Sequence, residues 1–122
     1  MKKSISDYLY QRKLERLELI ENATTVDKQG DLLCSARVDL LFFVNNFCWT
    51  YDPRREAYPN HHPFILYEFQ EKYLLELERA YRAGEDLLTE KSRDMGGSWM
   101  ILAWIVWHWL FDNSFNALVG SR

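Results

Sequence analysis

The first part of the chain mixes apolar and charged positions with a helical period. Residues 5–20 carry apolar side chains at helical spacing among lysine, arginine and glutamate, which predicts an amphipathic surface helix. Residues 22–25 interrupt this pattern, and a second helix with a broad apolar face is predicted over residues 27–47. Gly30 leaves the start of that second helix less well defined.

Residues 48–63 (CWTYDPRREAYPNHHP) break any period, because prolines, Asp52 and Asn60 favour turns. They predict a long connecting loop, which is the best candidate for a boundary between two regions of the chain. The first region is a helical N-terminal region at 1–60, and the second covers residues 61–122. A third helix is predicted over residues 68–83, and Gly84 suits its C-terminal end.

The last third of the chain reads as strand, loop, helix and strand. Residues 86–92 (DLLTEKS) and 115–120 (FNALVG) are the predicted strands, and the apolar run at 99–111 is the helix between them. This order predicts an α/β fold, the start of a parallel sheet preceded by a helical region. Since two parallel strands with few covering helices do not make a finished sheet, we expect an incomplete domain.

Composition narrows the class of protein. The chain has 122 residues, 48% of them hydrophobic, and a net charge of -3, which permits a real core and argues against a strongly basic nucleic-acid surface. Cys34 and Cys48 lie in apolar surroundings and are read as reduced. The apolar run of residues 99–111 is shorter than the roughly 20 residues that span a bilayer, and no signal-peptide pattern follows Met1, so a cytoplasmic protein without membrane contact is expected.

The segment with the clearest chemistry is residues 91–98 (KSRDMGGS), between a predicted strand and a predicted helix. Phosphate-binding loops need this context, since backbone N–H groups of the turn and the helix N-terminus converge on an anion. Against the pattern GxxxxGK[ST], only Gly96 and Ser98 match, with Lys91 at the first glycine and Gly97 at the lysine. The long side chain of Lys91 can still fold over the loop and reach the phosphates. Arg93 can supply a bidentate contact to the same phosphates.

Three segments in order resemble the opening of phage large terminase subunits, the ATPases that pump DNA into capsids. They are HPFILYEFQEKYL (62–74), KSRDMGGSW (91–99) and NALVGSR (116–122), with WTYDPR (49–54) similar to the lead-in of many members. The resemblance covers about residues 47–122. It implies a P-loop ATPase domain beginning at residue 61, of which this chain is an N-terminal fragment.

The resemblance also implies site residues. Gln70, with Phe69 or Tyr67 nearby, would contact the adenine of ATP, since a glutamine amide can donate and accept at once. Lys91 would bind phosphate, Gly96 and Gly97 would let the backbone approach it, and Ser98 would ligate Mg²⁺. The resemblance gives Arg93 a catalytic role, either in stabilising the transition state or in signalling between subunits. Asp94 is atypical, because an acid in a phosphate loop repels the ligand unless it points away.

The whole protein implied by the resemblance would translocate double-stranded DNA with the portal protein, the small terminase subunit and ring-forming copies of itself. The acidic pair that binds Mg²⁺ and activates water does not occur before Arg122, and neither does the nuclease domain, so we expect this chain alone to bind ATP weakly without turnover. Two alternatives stay open. One is a small helical interaction protein with an incidental Gly-Gly loop, and the other is part of another P-loop ATPase such as a helicase.

The histidines and tryptophans have simpler interpretations than a site. His61, His62 and His108 have no partner set at metal-ligand spacing, so His61 and His62 are interpreted as loop residues and His108 as a core or boundary residue. Trp104, Trp107 and His108 lie at i, i+3 and i+4, which indicates one face of a buried helix more simply than a platform for stacking bases.

Overall fold

A computed structural model describes residues 4–52, 60–90 and 97–120, which are mostly helical. The elements are α1 (Ile5–Glu21), α2 (Val26–Val38), α3 (Leu40–Phe47), β1 (Trp49–Tyr51), β2 (His61–Pro63), α4 (Glu68–Ala83) and α5 (Gly97–Phe111). The chain divides into two compact units, Met1–Leu66 and Tyr67–Arg122. In the described ranges, no helix has both the length and the apolarity to cross a membrane. The functional division at residue 60 stays a prediction.

Helix α1 is the predicted surface helix, and it begins at a capping box. The Ser4 side chain accepts a hydrogen bond from the Asp7 backbone N–H, and the Asp7 carboxylate accepts one from the Ser4 N–H. Most of the helix is exposed, and the residue that it buries is Arg16. A charged side chain is thus one link between α1 and the rest of the first unit.

The single helix predicted over residues 27–47 is wrong, because the structure breaks it at Asp39. This residue has an extended backbone, with φ -134° and ψ 103°, and its side chain accepts a hydrogen bond from the Phe42 N–H at 3.1 Å. Aspartate favours such caps because its carboxylate competes with the helix for backbone donors. Asp39 therefore ends α2 and begins α3.

The long loop predicted at residues 48–63 is paired at its two ends. Strands β1 and β2 are antiparallel, with Trp49 opposite Pro63 and Tyr51 opposite His61. The rings of Tyr51 and His61 lie 4.9 Å apart between centroids. After the β1–β2 pair the chain lies beside α3, and there Phe64, Ile65 and Leu66 are buried.

The predicted parallel α/β sheet is wrong. The sheet formed by the described residues is the antiparallel β1–β2 pair, and residues 86–90 and 115–120 do not form strands. Leu88 and Leu118 are almost fully exposed, at 98% and 101%. A strand is stable only when a neighbouring strand pairs with it, and among the described residues neither segment has such a neighbour.

The core of the first unit is organised around the buried Arg16 guanidinium. Its Nη1 donates to the backbone carbonyls of Asn45 at 3.1 Å and Cys48 at 2.8 Å, at the end of α3. The guanidinium carbon also lies 4.9 Å from the ring centroid of Trp49. The Asn45 side-chain oxygen accepts a hydrogen bond from the Leu66 N–H at 2.8 Å, so two polar side chains join α1, α3 and the segment after β2.

Arg16 is compensated by carbonyls and not by a thiolate. Burial raises the pKa of the Cys48 thiol to about 11, against the smaller opposing effect of the Arg16 charge. The thiol is therefore neutral near pH 7. Desolvation also lowers the pKa of Arg16 below its ordinary value, and the carbonyl groups of Asn45 and Cys48 stabilise the guanidinium charge by accepting its hydrogen bonds.

Replacement of Arg16 tests its role in the first unit. We expect Arg16→Ala to lower the free energy of unfolding by about 2 to 3 kcal/mol, because two buried carbonyls lose a charged donor. Urea unfolding monitored by far-UV circular dichroism measures the change. Arg37→Ala, at an exposed position in the last turn of α2, is the control and should change stability little. Equal losses in the two variants would contradict the role of Arg16.

The two cysteines should differ in reactivity. Cys34 is exposed, whereas Cys48 is half-buried with a raised pKa. Since only the thiolate reacts, iodoacetamide at pH 8 should label Cys34 at least about tenfold faster than Cys48. A thiol that keeps its proton in the folded state also loses stabilisation at high pH, so stability should fall as the pH rises from about 9 through about 11. Mass spectrometry of the labelled peptides gives the rates, and equal rates in the folded protein would contradict the assignment.

Candidate functional site

The candidate site begins at the first turn of α4. Helix α4 spans residues 68–83 as predicted, and Gln70 lies in its first turn with 6% of its surface exposed. Its side-chain oxygen accepts a hydrogen bond from the Tyr67 N–H at 3.0 Å. This bond satisfies one of the donors that a helix N-terminus leaves unpaired, and it fixes the orientation of the Gln70 amide.

Two aromatic rings flank this first turn. Tyr67 and Phe69 are stacked, with centroids 5.9 Å apart and planes 8° from parallel. Both side chains are partly exposed, at 37% for Tyr67 and 49% for Phe69. The helix start therefore presents a flat aromatic surface beside a buried amide.

The second part of the candidate site is the first turn of α5. The helix begins at Gly97, which is buried, and Ser98 follows as an exposed residue. The first turn, residues 97–100, contains no acidic side chain. Lys91, Arg93, Asp94 and Gly96 lie outside the described residues. The predicted helix at 99–111 is confirmed, with its start two residues earlier.

Gly84 sets the direction in which the chain leaves α4. It has φ 68° and ψ 27°, a left-handed conformation that glycine adopts without the steric cost of a Cβ. Its N–H donates to the Tyr81 carbonyl at 3.1 Å, and the Glu85 N–H donates to the Ala80 carbonyl at 2.9 Å. This pair is a Schellman motif and confirms the predicted C-terminal end.

Glu78 joins α4 to α5. Its Oε2 accepts hydrogen bonds from the Trp104 Nε1–H at 2.7 Å and from His108 Nε2 at 2.6 Å. Its Oε1 accepts from the Arg82 Nε–H at 2.6 Å, one turn later on α4. Since an ionised carboxylate only accepts, this contact requires the hydrogen on His108 Nε2. One carboxylate thus holds two α5 side chains.

Aromatic rings enclose His108. The ring centroid of His108 lies 4.7 Å from that of Trp104, 4.8 Å from Phe115, and 4.9 Å from both Tyr81 and Trp107. The residue is 3% exposed, and its Nδ1 lies 4.0 Å from the Asp112 carboxylate. Hydrogen bonds from Ser114, helped by the charges of His108 and Arg82, hold the pKa of Asp112 below its ordinary value.

This arrangement suits a structural link better than a catalytic one. A histidine paired with a carboxylate can act as a base only if a substrate reaches its other nitrogen. Here the ring is enclosed and its second nitrogen faces Asp112. Over the ranges that the structure describes, no group of three potential ligands could hold a metal ion. The prediction that His108 is a core or boundary residue is confirmed by its burial.

The Glu78 link is not among the features predicted above, although the sequence contains a signal for it. Glu78 follows Leu74 by four residues and precedes Tyr81 by three, so it lies on the apolar side of α4. His108 is the polar residue within the apolar run of α5. An acid and a histidine on two apolar helix faces are good candidates for pairing across the interface, because burial makes unpaired polar groups costly.

The predicted site residues that the structure describes lie at the starts of two helices. Phe69 and Gln70 share the first turn of α4, and Gly97 and Ser98 share that of α5. Among the hydrogen bonds of the described residues, the connection between these helices lies further along both, at Glu78, Trp104 and His108. The assignment of Lys91, Arg93 and Gly96 stays a prediction.

Comparison of the chain with protein-family models, with curated proteins and with solved structures gives no match. The resemblance to large terminase subunits therefore stays a hypothesis that depends on the segments quoted above.

Removal of the Glu78 carboxylate should loosen α4 from α5. We expect Glu78→Ala to lower the free energy of unfolding by about 2 kcal/mol or more, because His108 and Trp104 lose their acceptor inside the protein. Thermal unfolding monitored by tryptophan fluorescence measures the loss, since four of the five tryptophans lie in the second unit. Glu76→Ala, an exposed acid on the same helix paired with Arg79, is the control and should change stability little. A Glu78 variant as stable as the Glu76 variant would show that the link is unimportant.

Proposed function

We propose that this chain carries ATP-binding segments of a phage-type large terminase subunit. In this proposal the first turn of α4 faces the base of ATP, and residues 91–98 bind its phosphates. The proposal depends on the order of the segments at 62–74, 91–99 and 116–122. It does not include the parallel sheet, which the structure contradicts.

The observation that carries the proposal is the start of α5 at Gly97. This is the second glycine of the KSRDMGGS segment, so a helix N-terminus follows directly on the residues proposed to bind phosphate. The first N–H groups of a helix lack intrahelical acceptors, and the helix dipole favours an anion there. The absence of an acid from residues 97–100 leaves this positive end uncompensated by the helix itself.

Ser98 fits the proposed role at the metal. Its side chain is exposed in the first turn of α5, where a hydroxyl can reach an ion bound to a phosphate at the helix end. Bound Mg²⁺ would neutralise charge on the phosphate oxygens. In the same proposal, Lys91 and Arg93 supply positive charge to the phosphates, with Arg93 acting on the transferred group, and Gly96 allows the backbone to approach.

Phe69 is better placed than Gln70 to contact the adenine base of ATP. The stacked Tyr67–Phe69 pair offers an exposed aromatic surface, and aromatic rings stack on nucleic-acid bases. Gln70 is buried, and its oxygen already accepts a hydrogen bond from Tyr67. We therefore assign Gln70 the positioning of this turn, which holds the aromatic pair in place. Translocation of double-stranded DNA, the portal protein, the small terminase subunit and a ring of copies belong to the same proposal.

Nucleotide titration of the chain tests the proposal. A fluorescent ATP analogue with Mg²⁺ should bind weakly, and Lys91→Ala and Arg93→Ala should each weaken binding about tenfold, because each removes a charged phosphate contact. Phe69→Ala should reduce the preference for ATP over the triphosphate lacking a base. Lys72→Ala is the matched control, since Lys72 is exposed on α4 and paired with Glu68.

The chain alone is expected to show no ATP turnover. Unchanged affinity in both the Lys91 and Arg93 variants would refute phosphate binding by this segment. A hydrolysis rate that Lys91→Ala abolishes would instead contradict the expected lack of turnover.

A further inference from the structure

The imidazole of His108 lies between two carboxylates. Its Nε2 is 2.6 Å from Glu78 Oε2 on α4, and its Nδ1 is 4.0 Å from Asp112 Oδ2, just beyond the end of α5. The residue is 3% exposed, so both contacts are largely shielded from water. Among the described residues, Tyr81 of α4 is the other titratable group whose side chain contacts the ring.

The hydrogen bonds of Glu78 determine which nitrogen of His108 carries a hydrogen in the neutral ring. Glu78 Oε2 accepts from the imidazole, so the hydrogen lies on Nε2, and Nδ1 of a neutral ring then has a lone pair. That lone pair faces Asp112 Oδ2, so two acceptors meet with no hydrogen between them. A second proton, on Nδ1, replaces this repulsion with an ion pair.

Asp112 keeps its negative charge at any pH at which a histidine changes its own. Its Oδ1 accepts hydrogen bonds from the Ser114 N–H at 3.0 Å and from the Ser114 hydroxyl at 2.8 Å, and these bonds hold the pKa of Asp112 below its ordinary value. Such a carboxyl group is protonated only in strong acid, well below the ordinary range of histidine. His108 is therefore the group of this pair that changes charge.

The charges of the cluster balance when His108 is protonated. Glu78 and Asp112 are the two acids, and Arg82, whose Nε lies 2.6 Å from Glu78 Oε1, is the permanent cation. A second proton on His108 makes the cations equal in number to the acids, whereas its loss leaves one negative charge uncompensated. Burial of the ring opposes its charge, and an acid at each nitrogen favours it. The charge balance of the cluster thus depends on the proton of Nδ1.

The turn at residues 112–115 contacts the ring of His108 in two ways. Asp112 faces the edge of the imidazole, and Phe115 stacks on its face, with ring centroids 4.8 Å apart and planes 20° from parallel. The Phe115 N–H donates to the Asp112 carbonyl at 3.3 Å, which joins the two residues within the turn. A protonated imidazole attracts both the carboxylate and the aromatic face, whereas a neutral ring with a lone pair on Nδ1 repels the carboxylate.

We propose that His108 is a pH-sensitive latch that holds the turn at residues 112–115 against α5. With a proton on each nitrogen, His108 binds Asp112 by charge and Phe115 through its ring face, and the latch is closed. When Nδ1 loses its proton, Asp112 faces a lone pair, and the turn moves away from the ring. The stabilisation of the turn is therefore present at a pH where His108 is charged, and it is lost as the pH rises through deprotonation.

The turn also provides part of the wall of a cavity. The cavity has a volume of about 380 Å³ and is lined by Ile105, Val106, Trp109, Phe115, Asn116 and Ala117. Phe115 belongs to both the latch and this wall. Opening of the latch therefore changes the cavity, and the protonation of a buried residue reaches the exposed side of α5, where Val106 and Trp109 lie.

Nuclear magnetic resonance of the 122-residue chain tests the latch. The chemical shifts of the His108 ring report its protonation between about pH 5 and pH 9, and the nuclear Overhauser effect between the rings of His108 and Phe115 reports docking of the turn. This effect should fall at least about threefold over the roughly two pH units in which His108 loses its proton. A constant effect during this titration, or a His108 ring that does not titrate in the range, would overturn the proposal.

Replacement of Asp112 by asparagine tests the origin of the pH dependence. The amide of Asp112→Asn has no charge, and its N–H can donate to the lone pair on Nδ1. The turn should therefore stay docked whether or not His108 has its second proton, and the effect between the two rings should be constant across the pH series. A variant in which the effect falls over the same pH range as in the wild type would contradict the latch.

A matched control separates the latch from the net charge of the protein. Asp86→Asn removes an exposed acid just after α4, outside the cluster, and should reproduce the pH course of the wild type. A control as insensitive to pH as Asp112→Asn would overturn the proposal. Far-UV circular dichroism checks that each variant keeps its helices. The latch lies at the opposite end of α5 from residues 91–98, so its failure and the failure of ATP binding are separate results.

Discussion

The second unit depends on the Glu78 carboxylate, which accepts hydrogen bonds from both Trp104 and His108 of α5. A carboxylate in a mainly apolar contact is costly unless its oxygens are satisfied, and here both oxygens have donors. The link therefore fixes which residues of α4 face α5.

In the first unit the charged side chain removed from water is a cation. Arg16 is buried, and two backbone carbonyls at the end of α3 accept hydrogen bonds from its Nη1 in place of an acid, while its Nη2 is buried without a hydrogen-bond partner. Those carbonyls carry the partial negative charge of a helix C-terminus, which favours a cation. Each unit thus contains a charged side chain, Arg16 buried and Glu78 half-buried, that connects elements distant in sequence. Apolar packing of Val44, Leu66 and Leu74 adds stability without the same directional preference.

Local patterns predicted helices better than longer-range structure. The limits of α4, the glycine at its end and the interruption at residues 22–25 follow from side-chain chemistry within one turn, and the structure confirms them. The predicted strands at 86–92 and 115–120 required neighbours that composition cannot supply, and residues 86–90 and 115–120 are irregular. The Glu78 link escaped prediction because it joins residues thirty positions apart. In the candidate site, sequence placed Ser98 at a helix start, but it could not indicate that Gln70 would be buried.

Asp39 makes the orientation of α3 depend on a single carboxylate. Residues 26–47 would otherwise suit one continuous rod, about 33 Å long at the α-helical rise. The extended backbone of Asp39 bends that rod, so the carbonyls of Asn45 and Cys48 come within reach of Arg16. A residue without a capping side chain at this position would favour the straight form, in which the carbonyl cluster moves away from α1. The bend at Asp39 therefore sets where the end of α3 lies relative to Arg16.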